Sequence, residues 1–182
     1  LTSCNPGSGK SFLAMNIAMI FAIKKKRILV IDGDLRHGST SSYVDSPKTG
    51  LSDYLGNRVS DWKEIIVKDE KYDNLHIIPI GTVPPNPTEL LEDGKLATLI
   101  EVLRSEYDYI FIDCPPIDIV ADAQIIEKLA DRTVFVVRSG LLDRSMLPEL
   151  ENIYQEKRFK NLSVILNGTE SAGGRYGDRY GY

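Results

Sequence analysis

Nine residues near the start of the chain, SCNPGSGKS (Ser3 to Ser11), restrict what it can fold into more than any other stretch. Small residues let successive backbone N–H groups point at one centre, and the helix that follows adds the partial positive charge of its amino terminus. In such a loop Lys10 reaches the β- and γ-phosphates of a nucleotide and Ser11 holds Mg²⁺. Pro6, Gly7, Ser8 and Gly9 form the cradle, and Phe12, directly after Ser11, is counted with the nucleotide-binding residues. The general pattern G-x-x-x-x-G-K-[ST] asks for glycine where this chain has Cys4. A plain glycine-rich turn before a helix is the competing reading. A phosphate loop joins a strand to a helix, so it predicts an α/β chain.

The remaining sequence repeats a strand-then-helix rhythm. RILVID (Arg27 to Asp32) is a continuous apolar run of the kind found in strands buried on both faces. LHIIPIG (Leu75 to Gly81), YIFID (Tyr109 to Asp113), TVFVV (Thr133 to Val137) and LSVILN (Leu162 to Asn167) repeat it. Helical spacing marks Gly9 to Ile23, KLATLIEVLRSE, DAQIIEKLA and SMLPELENIYQEK, with Pro148 in the first turn of the last. This alternation predicts an α/β fold: a mostly parallel, doubly wound sheet with helices on both faces and ligands beyond the carboxyl ends of its strands. After the stiff connector VPPNP (Val83 to Pro87), Thr88 is expected to cap the helix ELLED. The stretch from Leu35 to Gly50, rich in Ser, Thr and Gly, is expected to be a surface loop. Tyr54, Tyr107 and Tyr109 read as packing residues, His37 as loop and His76 as strand.

Composition narrows the classes. A chain of 182 residues, 42% hydrophobic and 26% charged, suits one globular domain, here residues 1–170, followed by a tail over 171–182. A net charge of −4 gives no reason to expect nucleic-acid binding. Cys4 and Cys114 lack CxxC or Cys/His spacing, so neither a disulfide framework nor a zinc site is indicated and a reducing cytosol fits. Both are expected as small buried hydrophobes, with a redox brake beside the nucleotide as the sharper alternative. The longest apolar run, Phe12 to Ile23, is far shorter than a membrane span. Leu1 leads at once into the loop, so no signal peptide is read and residues upstream are expected.

Three carboxylates stand at strand ends. Asp32 and Asp34, two residues apart in ILVIDGDLR (Ile28 to Arg36), project from one side of an extended segment toward one cation or hydroxyl. Asp113 ends YIFID before CPP, within reach of a Mg²⁺ beside the phosphate loop. Singly, each also reads as a helix cap or a solvated loop residue. Arg36 and Arg138 near the same face read equally as phosphate ligands, subunit contacts or solvated side chains. KKKR (Lys24 to Arg27) reads as a solvated helix end, with an anionic membrane contact as the alternative. The last ten residues, GGRYGDRYGY, hold four glycines, three tyrosines and two arginines, which predicts a flexible tail without a core of its own.

PGSGKS, VIDGDLR, PPNPTELL, IFIDCPP, VFVVRSG, VILNG and the tyrosine-rich end together resemble the bacterial tyrosine kinases, the cytoplasmic kinase domains that regulate capsule and exopolysaccharide synthesis. The resemblance covers nearly the whole chain, and in that family the position of Cys4 is often not glycine. It implies a three-layer P-loop NTPase fold with ATP and Mg²⁺ as cofactors. It also implies Asp32 as the base for a tyrosine hydroxyl, Asp34 and Asp113 with Ser11 around Mg²⁺, and Lys10 with the loop amides on the transferring phosphoryl group. Asn167 then sits at the adenine. Tyr176, Tyr180 and Tyr182 become the phosphoacceptors, modified in trans within a homo-oligomeric ring that their accumulated charge loosens. The implied partners are a transmembrane activator of the polysaccharide co-polymerase type, fused or separate, and a protein-tyrosine phosphatase, with no nucleic acid. The implied location is cytoplasmic, at the inner face of the bacterial plasma membrane. The alternative is a regulatory ATPase of the MinD/ParA type without kinase activity. Those carry a further lysine early in the loop, where this chain has Asn5. A module that binds ATP without turnover is a third reading.

Overall fold

The computed structural model describes residues 1–117 and 122–169. Along the chain run α1 (Lys10–Ile23), β1 (Ile28–Asp32), α2 (Leu51–Leu55), β2 (Val67–Lys68), β3 (Leu75–Ile78), α3 (Pro87–Glu92), α4 (Lys95–Glu106), β4 (Tyr109–Asp113), α5 (Asp122–Glu127), β5 (Val134–Arg138), α6 (Leu147–Gln155) and β6 (Ser163–Asn167). The predicted acceptors Tyr176, Tyr180 and Tyr182 lie outside the described residues.

β1 is buried along its whole length, as a strand covered on both faces must be. Its alternate side chains enter two cores. Ile28 and Val30 pack with Met15, Ala18 and Ala22 of α1. Leu29 and Ile31 face the other way, into the cluster that holds Leu96, Leu99, Ile100 and Leu103 of α4 and Ala123 and Ile126 of α5. Helices thus cover both sides of a parallel sheet, the predicted architecture. Strands run in the order β2-β3-β1-β4, with β2 the antiparallel edge, and β5 pairs with β6 in parallel. Leu1 and Thr2 join the two sheets. Cys114 N–H donates to the Leu1 carbonyl (2.9 Å), Thr2 N–H donates to the Val134 carbonyl (3.0 Å), and Val136 N–H donates to that of Thr2 (2.8 Å). Behind this bridge, between β4 and β5, lies a cavity of about 500 Å³ lined by Leu1, Phe111, Ile126 and Val134 among others.

Several local expectations change. Thr88 does not cap α3: Asn86 takes that place and Pro87 opens the helix. Proline suits the first helical position, where its missing N–H is not needed, and this moves Thr88 inside and frees its hydroxyl for Asp122. The strand expected from Leu75 to Gly81 stops at Ile78, because Pro79 has no N–H for the ladder. The stretch from Leu35 to Gly50 is not a plain surface loop: Leu35, Thr40, Ser41 and Gly50 are buried and Ser41–Val44 forms a 3₁₀ turn. Tyr109 is 43% exposed and packs its ring 4.5 Å from that of Phe21. Among the described residues no helix is long and apolar enough to cross a membrane.

Candidate nucleotide site

The loop from Ser3 to Gly9 closes on itself before α1 begins. The hydroxyls of Ser3 and Ser8 both donate to the Asn5 carbonyl, at 2.8 and 2.7 Å. Gly7 and Gly9 take φ values of 73° and 91°, a left-handed conformation that side chains with a Cβ adopt at a steric cost. Gly9 caps α1, so Lys10 is its first residue and Ser11 faces inward. Phe12 points outward, 59% exposed. Cys4, at the position where the general motif has glycine, is buried.

Ser11 brings the loop to the strand ends. Its Oγ donates to Asp113 Oδ2 at 2.5 Å, and Thr40 Oγ1 donates to the same oxygen at 2.6 Å. Asp113 Oδ1 is buried and has no hydrogen-bond partner among the described residues. Asp113 stands beside Asp32 in the β1–β4 register. Asp32 Oδ2 accepts two hydrogen bonds from Ser41, one from its N–H and one from its Oγ, both 2.7 Å, while Oδ1 accepts the Asp34 N–H at 3.3 Å. Burial pushes the Asp32 carboxyl up to about 6, and the Ser41 hydrogen bonds work against that rise. Asp34 turns toward its own loop: Oδ1 accepts from the N–H groups of Arg36 and His37, and the His37 ring lies 3.2 Å from both carboxylate oxygens. Asp32 and Asp34 therefore do not share one partner here.

Loops from elsewhere complete the site. Arg36 Nε donates to the fully buried carboxylate of Asp122 (3.1 Å), and Thr88 Oγ1 donates to its other oxygen (2.7 Å), which ties the DGDLR and PTELL stretches to α5. Asn167 donates from Nδ2 to the Ser8 carbonyl (2.9 Å), and Arg138 donates to the Gly7 carbonyl (2.7 Å). Sequence reasoning missed Thr40, Ser41 and Asp122. The run GSTSS was the only trace of the first two and reads like any polar loop, and Asp122 stood unremarked at the start of the helical run DAQIIEKLA. Cys4 and Cys114 are both buried and outside any disulfide, and burial pushes the Cys114 thiol up to about 11. That leaves little Cys114 thiolate for exchange, and the redox brake gains no support.

No group of three or more His, Cys, Asp or Glu among the described residues is arranged to hold a metal alone. Mg²⁺ at nucleotide sites takes only one or two protein ligands, with phosphate and water completing its shell. The unpartnered, buried Asp113 Oδ1 beside Ser11 Oγ is a donor set of that kind.

A glycine-rich loop at a helix amino terminus, with a serine reaching an acid at the end of a neighbouring strand, defines a P-loop nucleotide-binding domain. The family model described as an AAA domain matches residues 3–150. More narrowly, the chain belongs to the bacterial tyrosine kinases. It is 34% identical over 179 residues to the tyrosine-protein kinase CpsD of Streptococcus pneumoniae, covering 97% of this chain and 78% of that protein. The kinase domain of the Escherichia coli tyrosine kinase ETK superposes with a TM-score of 0.85 at 32% identity, covering 100% of this chain and 70% of that one. The septum site-determining protein MinD of Pyrococcus horikoshii shares the fold, with a TM-score of 0.73 at 23% identity over 97% of this chain and 69% of its own.

Proposed function

We propose that this chain is an ATP- and Mg²⁺-dependent protein-tyrosine kinase that phosphorylates tyrosines of its own carboxyl-terminal tail, Tyr176, Tyr180 and Tyr182, in trans, and through them regulates capsule or exopolysaccharide synthesis. The observation that carries the reading is the convergence of Ser11 and Thr40 on Asp113 Oδ2, with Oδ1 left buried and unpartnered next to Asp32. Membership of the tyrosine kinases, rather than likeness to MinD, decides between transfer to tyrosine and simple hydrolysis.

In this reading the loop from Pro6 to Ser11 holds the β- and γ-phosphates through the N–H groups of Gly7 to Ser11 and the Lys10 ammonium, which also meets the charge that develops on the transferring phosphoryl group. Ser11 and Asp113 would hold the Mg²⁺, with Asp34 as a further carboxylate for its shell, and the ion would supply charge neutralisation on the phosphate oxygens. Asp32 takes the proton of the attacking tyrosine hydroxyl, whose pKa near 10 makes it a poor nucleophile while protonated. Oδ1 is the oxygen for that task, since Ser41 already occupies Oδ2. The homo-oligomeric ring, the transmembrane activator, the opposing phosphatase and the location at the inner face of the plasma membrane belong to the same proposal.

The test is incubation with ATP and Mg²⁺, followed by intact-mass and phosphopeptide analysis beside a Lys10→Met control, with an activator segment supplied. Phosphate on the tail tyrosines that is absent from the control is the expected result. Steady ATP hydrolysis with unmodified tyrosines would turn the reading over to a regulatory ATPase.

A further inference from the structure

A peptide group is planar and trans, so its C=O and N–H point in opposite directions. Whatever holds a loop carbonyl outward therefore aims the N–H of the next residue inward. Arg138 donates to the Gly7 carbonyl at 2.7 Å and Asn167 to the Ser8 carbonyl at 2.9 Å. Those carbonyls share their peptide groups with the N–H of Ser8 and of Gly9, in the middle of the phosphate loop. Neither donor belongs to the loop: Arg138 ends β5, Asn167 ends β6, and the two are direct partners in the parallel register.

The surroundings are shaped for these two contacts. Asn167 Oδ1 accepts the Gly168 N–H at 2.8 Å, which leaves the amide NH₂ facing the loop. A Cβ on Gly9 would lie 2.3 Å from Asn167 Nδ2, so glycine there makes the approach possible. A Cβ on Gly168 would lie 3.2 Å from Arg138 Cγ, so that glycine gives the arginine stem room to lie across the strand ends.

We propose that Arg138 and Asn167 are positioning residues that clasp the phosphate loop from the β5–β6 end and aim the Ser8 and Gly9 amides at the nucleotide phosphates. The clasp works through the loop carbonyls, so it acts on any ligand that offers a polyphosphate. It rests on the phosphate-site part of the proposed function and is independent of what happens to the transferred group.

Calorimetric titration of wild type, Arg138→Ala, Arg138→Lys and Asn167→Ala with Mg·ATP and with inorganic tripolyphosphate tests it. Both alanine variants are expected to weaken the two ligands by the same factor, about tenfold for one lost hydrogen bond of this kind. The ligand-free thermal midpoint stays in place, and Arg138→Lys recovers most of the loss, because one ammonium donor is enough for one carbonyl. Alanine variants that bind tripolyphosphate within twofold of wild type overturn the clasp. An Asn167→Ala variant that loses ATP and keeps tripolyphosphate overturns the role of Asn167 in favour of an adenine contact. If Arg138→Ala lowers the ligand-free midpoint, Arg138→Lys decides: restored tripolyphosphate binding supports the clasp and lost binding sinks it. A wild-type chain that binds tripolyphosphate through these residues but makes no phosphotyrosine removes the kinase reading and leaves the clasp standing.

Discussion

The phosphate loop lies between two unlike strand ends. On the β1–β4 side stand acceptors, Asp32 and Asp113, buried to 0% and 1% exposure and closed over by hydroxyls and amides of Ser11, Thr40 and Ser41. On the β5–β6 side stand donors: Arg138 is exposed, Asn167 half-buried, and both reach out to the loop. The difference follows from burial. A carboxylate taken out of water needs its hydrogen bonds supplied by the protein, so the acidic end is woven into the core. Donors that keep contact with solvent are free to serve the loop. Chemistry and stability are therefore coupled at one end and separable at the other.

The largest effect belongs to the acidic end. Asp113→Asn removes the charge proposed to face Mg²⁺ and is expected to lower the initial rate of phosphotyrosine formation by about a hundredfold or more. An Arg138→Ala variant as slow as Asp113→Asn under saturating Mg·ATP would break the comparison.

Stability sharpens it. Ser41 Oγ accepts the Ile80 N–H at 2.8 Å and donates to Asp32, all of it buried. Ser41→Ala strands that N–H and one carboxylate lone pair, so urea denaturation should show a loss of about 1–3 kcal/mol. In the same assay Arg138→Ala, at an exposed position, is expected to stay within about 0.5 kcal/mol of wild type. Equal losses would mean that both ends are built into the core alike.

The smallest effect lies in pH. His76 in β3 sits within the four-stranded half with Nε2 buried and unpartnered, and burial lowers its pKa below the ordinary 6.5. Below pH 6.5 the unfolded chain takes up a proton that the folded one resists, so stability falls with acid by at most about 1.4 kcal/mol per unit. Asp32 has the opposite sign: its folded value of about 6 lies above the ordinary 3.8, so across that interval it favours folding as pH falls. The difference between wild type and His76→Gln isolates the histidine, and it should grow as pH drops below 6.5. A constant difference across that range removes the histidine effect.

Much of the frame was legible in the chain. Apolar runs without alternation marked β1, β3, β4, β5 and β6, and the loop GSGKS marked the start of α1, because burial on both faces and a phosphate cradle each demand a distinctive run of residue types. The acids at the strand ends were legible for the same reason. Their partners were not. Thr40 reaches Asp113 over 73 positions, Thr88 reaches Asp122 over 34, and Arg138 reaches Gly7 over 131, and no local pattern encodes which donor will meet which acceptor. Local sequence by itself determined the strands, the loop and the chemical class of the site, since those depend on neighbours along the chain. Only the tertiary structure decided which side chains close over Asp32 and Asp113 and which hold the loop, because a buried polar group takes its partner from whatever the fold brings within hydrogen-bonding distance.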